Sequence, residues 1–118
     1  MSTTIERLPP HNLEAEEAVL GSLLIDPDAI FEVSTFLKPD AFYREQNRWI
    51  YEAILILNDR HEPLDFITLT AVLRQRDQLE ELGGEGYLID LINSVPTSIN
   101  AQYYGRIVEG HALRRSLL

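Results

Sequence analysis

The sequence predicts an all-α fold, a small orthogonal bundle of about six helices. Three observations lead there. The run FYREQNRWIYEAILILNDR, residues 42–60, is the longest uninterrupted helical pattern in the chain. At roughly 100° per residue, Gln46, Trp49, Ile50, Ala53, Ile54, Ile56 and Leu57 fall on one wide arc, while Arg48, Glu52 and Asp59 share the opposite stripe. Stop and restart signals built on proline or glycine punctuate the rest of the chain. Finally, the strand-like run Phe66-Ile67-Thr68-Leu69-Thr70 has no second strand pattern to pair with, and a lone strand has nowhere to place its hydrogen bonds.

Residues 1–10 have no periodicity and end in Pro9 and Pro10, so they read as a flexible or extended arm. Asn12 then reads as an N-cap, with Glu14, Glu16 and Glu17 in a first turn where the helix dipole favours negative charge. Helix one runs to about Ile25, mixing Leu13, Leu20 and Leu24 with Ala18, Gly21 and Ser22, small residues that let another helix come close. Asp26 can cap a second helix with Pro27 in its first position, continuing through Ile30, Phe31 and Val33 to Leu37. Lys38-Pro39-Asp40 leads to the third helix, taken as the centre of the bundle. Its core candidates are Trp49, Ile50, Ala53, Ile54 and Leu57, with Trp49 the largest. Leu55 falls in the polar stripe and Tyr51 on its border.

Asn58 to Pro63 end that helix, and Asp65 can cap the fourth, about Phe66 to Arg76. Leu82 followed by Gly83 matches a helix terminus with a left-handed glycine. The fifth helix runs from Tyr87 to about Asn93, with Leu88, Leu91 and Ile92 facing inward. Thr97 or Ser98 caps a sixth. In that helix Tyr103, Tyr104, Ile107 and Val108 form one stripe, but Leu113 and Leu117 lie on the far side beside Arg106. Its second half therefore needs something else to pack on, either a following helix or another subunit.

A chain of 118 residues with 45% hydrophobic content is one domain, able to bury a core without staples. The lack of cysteine removes disulfides, thiolate metal sites and thiol chemistry. No apolar run approaches the roughly 20 residues that span a bilayer. MSTTIERLPP lacks the basic-then-apolar pattern of a signal peptide, so a cytoplasmic protein without membrane partners is expected. Net charge is −9, with nine arginines and a single lysine, Lys38. Phosphate backbones are bound by clustered Lys and Arg, so direct nucleic-acid binding is not expected of this chain. The acidic front and basic tail could pair head to tail or steer a basic protein partner.

The chemical motifs are missing. Lys38 lies between Leu37 and Pro39, so there is no phosphate-binding loop, and Glu80, Glu81 and Glu85 around Gly83, Gly84 and Gly86 would repel an anion. His11, His61 and His111 have no metal-ligand spacing. The carboxylate pairs Glu16/Glu17 and Glu80/Glu81 are adjacent rather than facing, which reads as surface charge. No catalytic, cofactor or metal residue is assigned. Leu55, Tyr51, Tyr87, Leu113 and Leu117 remain without evident core duty. Tyr87, opening helix five beside a glycine turn, best suits a contact residue, since tyrosine offers a large area at little entropic cost.

Five ordered blocks carry a resemblance. LPPHNLEAEEAVLGSLLIDPDAI, DAFYREQNRWIYEAI, EPLDFITLTAVL, LEELGGEGYLIDLINSVPTSINAQYYGRIVE and LRRSLL closely resemble the N-terminal domain of the bacterial replicative DNA helicase, the DnaB family. The resemblance covers about Arg7 to Leu118. It implies a flexible arm over 1–10, a globular helical head over 11–98, and over 99–118 the first arm of a truncated helical hairpin. It also implies a non-catalytic oligomerisation and interaction domain, forming the hexamer collar by pairing with itself. The primase C-terminal domain is the implied partner, with Tyr87 and then Glu14 as candidate contacts, and a helicase loader is a further one. Leu113, Leu117, Tyr51 and Leu55 are the candidate subunit contacts. ATP and Mg would belong to a motor domain of the bacterial cytoplasmic parent, with no cofactor in this fragment. A stand-alone helical adaptor is the alternative.

Overall fold

Helix starts follow from short polar side chains, and several helix ends from one residue that turns left-handed. The computed structural model describes residues 11–96 and 100–118. The expected arm over 1–10 lies outside the described residues, as do Thr97 and Ser98, and the cap of helix six expected of them falls instead to Asn100, whose side-chain oxygen accepts the Tyr103 N–H at 2.9 Å. Helix α1, Leu13–Ile25, opens on Asn12, whose side-chain oxygen accepts the Ala15 N–H at 3.0 Å. Two short helical pieces follow, a 3-10 turn at Pro27–Ala29 and α2 at Ile30–Val33. Helix two is thus shorter than expected, and Asp26 makes no side-chain cap bond. Past Val33 the Thr35 hydroxyl donates back to the Glu32 carbonyl at 2.7 Å. Such local bonds compete with helix continuation.

Helix α3 spans Glu45–Asp59 and α4 spans Phe66–Gln75. The strand-like run is resolved as helix by a capping box: Asp65 accepts the Thr68 N–H at 2.9 Å while the Thr68 hydroxyl accepts the Asp65 N–H at 3.0 Å. Helix α5 covers Glu85–Asn93, and α6 covers Ala101–Ser116 with Asn100 as N-cap. At 16 residues α6 is the longest, one residue beyond α3. All the regular structure among the described residues is helical.

Helices α3 and α4 end alike. His61 at φ 57° lets the Glu62 N–H reach the Leu57 carbonyl at 3.0 Å. Asp77 at φ 58° lets the Gln78 N–H reach the Leu73 carbonyl at 2.9 Å. Gly83, at φ 111°, closes the turn before α5 in the same way, with the Gly84 N–H on the Leu79 carbonyl at 2.8 Å. The closure expected at Leu82-Gly83 is present, though a turn rather than a helix precedes it. Only glycine adopts this geometry without a β-carbon penalty. Replacing exposed Asp77 by glycine should therefore raise stability by about 0.5–1 kcal/mol, net of the freer unfolded chain. Thermal melting of Asp77→Gly checks this; an unchanged or lower midpoint counts against it.

Helix α1, not α3, is the hub: it packs against α3, α5 and α6. Its sequence hid this because a helix buried nearly all round has little contrast between faces. Ala15, Glu16, Ala18, Val19, Leu20, Gly21, Ser22 and Leu23 are all buried. In α3 the buried stripe is Asn47, Ile50, Tyr51, Ala53, Ile54 and Leu57, turned by about one position from the predicted arc. Trp49 is only partly buried against the core, and so is Leu55, while Leu88 is fully buried and Ile92 partly so. Tyr51, expected at a subunit contact, is 0% exposed. Its hydroxyl donates to the Leu37 carbonyl at 2.8 Å and its ring leans on Phe42, centroids 5.1 Å apart. A tyrosine can be buried this deeply because its hydroxyl finds a carbonyl there. Burial pushes its phenol well above the usual tyrosine range.

Candidate protein-docking surface

The carboxylate of Glu16 is the origin of a polar cluster that reaches Tyr87. Glu16 is 1% exposed, which corrects its reading as surface charge. It accepts three bonds: from the Tyr43 N–H at 2.6 Å, the Arg44 N–H at 3.3 Å, and Asn47 Nδ2 at 2.9 Å. Arg44, the N-cap of α3, makes no side-chain cap bond of its own. A carboxylate from α1 therefore does that work, placing negative charge where the α3 dipole favours it.

Asn47, itself 0% exposed, passes the contact onward. Its Oδ1 accepts the Tyr87 hydroxyl at 2.5 Å, and the Tyr87 oxygen accepts in turn from Arg44 Nη1 at 3.4 Å. Arg44 also pairs with Glu17 at 3.5 Å. Side chains of α1, α3 and α5 are thereby joined through one polar cluster. Burial pushes the Tyr87 phenol up, partly opposed by Arg44, so the hydroxyl remains a neutral donor at physiological pH. The bond to Tyr87 raises the Arg44 guanidinium against the opposing effect of burial.

Tyr87 is half-buried and its polar end points into the protein, while Glu14 is exposed on the first turn of α1. Glu17 connects them, lying one helical turn from Glu14 and paired with the guanidinium that touches Tyr87. A groove of about 350 Å³ lies beside Glu14, lined by Glu17, Ala18, Tyr104 and Ile107 among others. Sequence reasoning missed Glu16 and Asn47. The available signal was spacing: Glu16 shares a stripe with Leu20 and Leu23, and Asn47 with Ile50, Tyr51 and Ile54.

The remaining candidates sit elsewhere. The first half of α6 is pinned to the head, with Gly105 against Phe36 and the Arg106 guanidinium 3.7 Å from the centre of the Phe36 ring. Farther on, Arg115 donates to the Ala41 carbonyl at 2.6 Å. Leu113 and Leu117 face away, 60% and 85% exposed. The structure does not bring them together with Tyr51, which is internal, or with Leu55, which is partly packed. Among the described residues no three His, Asp or Glu side chains converge as a metal ion would need, and no helix is long and apolar enough to cross a membrane.

A family model described as the DnaB-like helicase N terminal domain matches residues 8–110. The replicative DNA helicase DnaC of Bacillus subtilis is 50% identical over 96% of this chain and 25% of its own length. The replicative DNA helicase DnaB of Geobacillus stearothermophilus is 47% identical over 96% of this chain and 25% of its own. The chain thus spans about a quarter of the length of these curated relatives. The crystal structure of the N-terminal domain of DnaB helicase from Mycobacterium tuberculosis superposes with a TM-score of 0.89 at 46% identity, covering 93% of this chain and 79% of that one. A structure of a DnaB-like replicative helicase, described together with its interactions with primase, matches with a TM-score of 0.77 at 32% identity, covering 89% of this chain and 25% of that one.

Proposed function

This chain belongs to the family of DnaB-like helicase N-terminal domains, and from that premise we propose that it is the non-catalytic collar and primase-binding part of a replicative DNA helicase. Of the described residues, 11–96 belong to the globular head and 100–118 begin the first arm of a hairpin. The whole protein unwinds DNA with ATP and Mg held in its motor domain, as a hexamer in the bacterial cytoplasm. A helicase loader is a further partner of that whole protein. The head binds the C-terminal domain of primase through Tyr87 and Glu14, while Leu113 and Leu117 take part in subunit contact.

The observation that carries this reading is that Tyr87 is bonded to Arg44, which pairs with Glu17, and Glu17 lines the same groove as Glu14 one helical turn away. Tyrosine and arginine are residue types in which protein interfaces concentrate binding energy, and here Tyr87 and Arg44 are bonded to each other. The test is calorimetric titration of the 118-residue chain with the primase C-terminal domain. Tyr87→Ala should weaken binding by about tenfold or more, as truncating an interface tyrosine does, with circular dichroism confirming retained helicity. Equal binding would remove Tyr87 from the interface.

A further inference from the structure

Tyr87 is bonded to the buried Asn47, and behind it stands the buried Glu16, a geometry that suggests a role beyond stability. Its hydroxyl donates to Asn47 Oδ1 at 2.5 Å, and Asn47 is oriented by giving its Nδ2 proton to Glu16 at 2.9 Å. An amide can be turned either way, and Glu16 settles the matter: a carboxylate accepts only, so the nitrogen must face it. The oxygen then faces Tyr87 and can only accept. The chain of bonds therefore has one direction, from the phenol through the amide to the carboxylate. It fixes the rotation of the Tyr87 ring relative to α3.

We infer that Asn47, oriented by Glu16, is the positioning residue for Tyr87, locking the ring in the orientation in which it meets a protein partner. This rests on the proposed reading that Tyr87 is a primase contact. An unheld tyrosine at the start of α5, next to Gly83 and Gly84, would sample several rotamers. A partner would then have to select one of them at a cost in affinity. With its hydroxyl committed inward, Tyr87 offers ring carbon rather than a polar tip, so the partner group it fits is an apolar side chain. Arg44, bonded to the same hydroxyl and to Glu17, borders that ring.

A double-mutant cycle on binding tests this with the 118-residue chain and the primase C-terminal domain, at a temperature where circular dichroism shows every variant folded. Tyr87→Phe keeps the ring and removes the inward bond; Asn47→Ala removes the same bond from its other end. Each should weaken binding by about tenfold, and the double variant should be no weaker than either single one, the signature of a shared interaction. Tyr87→Phe leaves the buried amide in place, so the question stays answerable should Asn47→Ala fail to fold: binding at the wild-type level by Tyr87→Phe overturns the inference. Losses that multiply in the double variant overturn it too, because Asn47 would then act independently of the phenol. If Tyr87→Ala weakens binding while Tyr87→Phe and Asn47→Ala do not, the positioning role fails and the interface stands. If Tyr87→Ala has no effect, the underlying interface reading fails as well.

Discussion

Gly21→Ala is expected to destabilise the protein by about 3 kcal/mol or more, at the upper end of what overpacking a close contact costs. A β-carbon on Gly21 would lie well inside van der Waals distance of the Leu91 carbonyl oxygen and 2.5 Å from Val95 Cγ2. The valine can shift, but the carbonyl cannot, because Leu91 sits within α5 and moving its oxygen moves the helix. Adding one methyl here therefore pushes α5 off α1. Against a total stability of roughly 5–15 kcal/mol, that is a large fraction. Urea denaturation measures it directly. Gly110→Ala is the control: no heavy atom lies within 4 Å of a β-carbon there, so the ordinary helical gain should appear instead. A Gly21→Ala protein as stable as the parent would mean α1 and α5 are farther apart than described. Because α5 also carries Tyr87, the same substitution should weaken any binding that depends on that side chain.

Local chemistry was legible at some helix ends and not at others, since Asp26 makes no side-chain cap bond and Asn100 caps α6. Asn12 and Asp65 cap as expected, and Gly83 takes the left-handed turn. His61 and Asp77 take the same turn, but neither is glycine, so composition gave no notice of it. The exposed far side of α6 was also legible, since Leu113 and Leu117 fall opposite the stripe that meets the head. What failed was any question in which a polar residue has to choose between solvent and a buried partner. Tyr51, Glu16 and Asn47 are polar by type, and residue type alone sends them outward although their spacing matches the buried stripes. Each is buried because a specific partner from a distant segment awaits it: the Leu37 carbonyl, the start of α3, and the Tyr87 hydroxyl. Those pairings exist only after the helices are arranged. The rank of α1 as hub was hidden for a related reason, because burial on every side erases the amphipathic pattern by which a packed helix is recognised.

Glu16→Ala is the second substitution expected to have a large effect, about 3 kcal/mol or more, since three donors lose their acceptor together and each buried orphan costs about 1–3 kcal/mol. The Tyr43 and Arg44 N–H groups, both part-buried, find no replacement within α3, which lacks a capping side chain of its own. Asn47 is too deeply buried to turn to water. Glu16→Gln separates shape from charge: it preserves volume and one acceptor, but its NH2 group must face at least one donor. About half the loss should remain, the part belonging to the misplaced donor and the missing negative charge at the helix start. Chemical denaturation of both variants beside the parent gives the order parent, Gln, Ala. A Gln variant equal to the parent would show that an acceptor of the right shape suffices and that the charge of Glu16 contributes nothing. A stable Ala variant would require water to enter beside Asn47, and in that case Tyr87 would lose its fixed acceptor even though the fold survived.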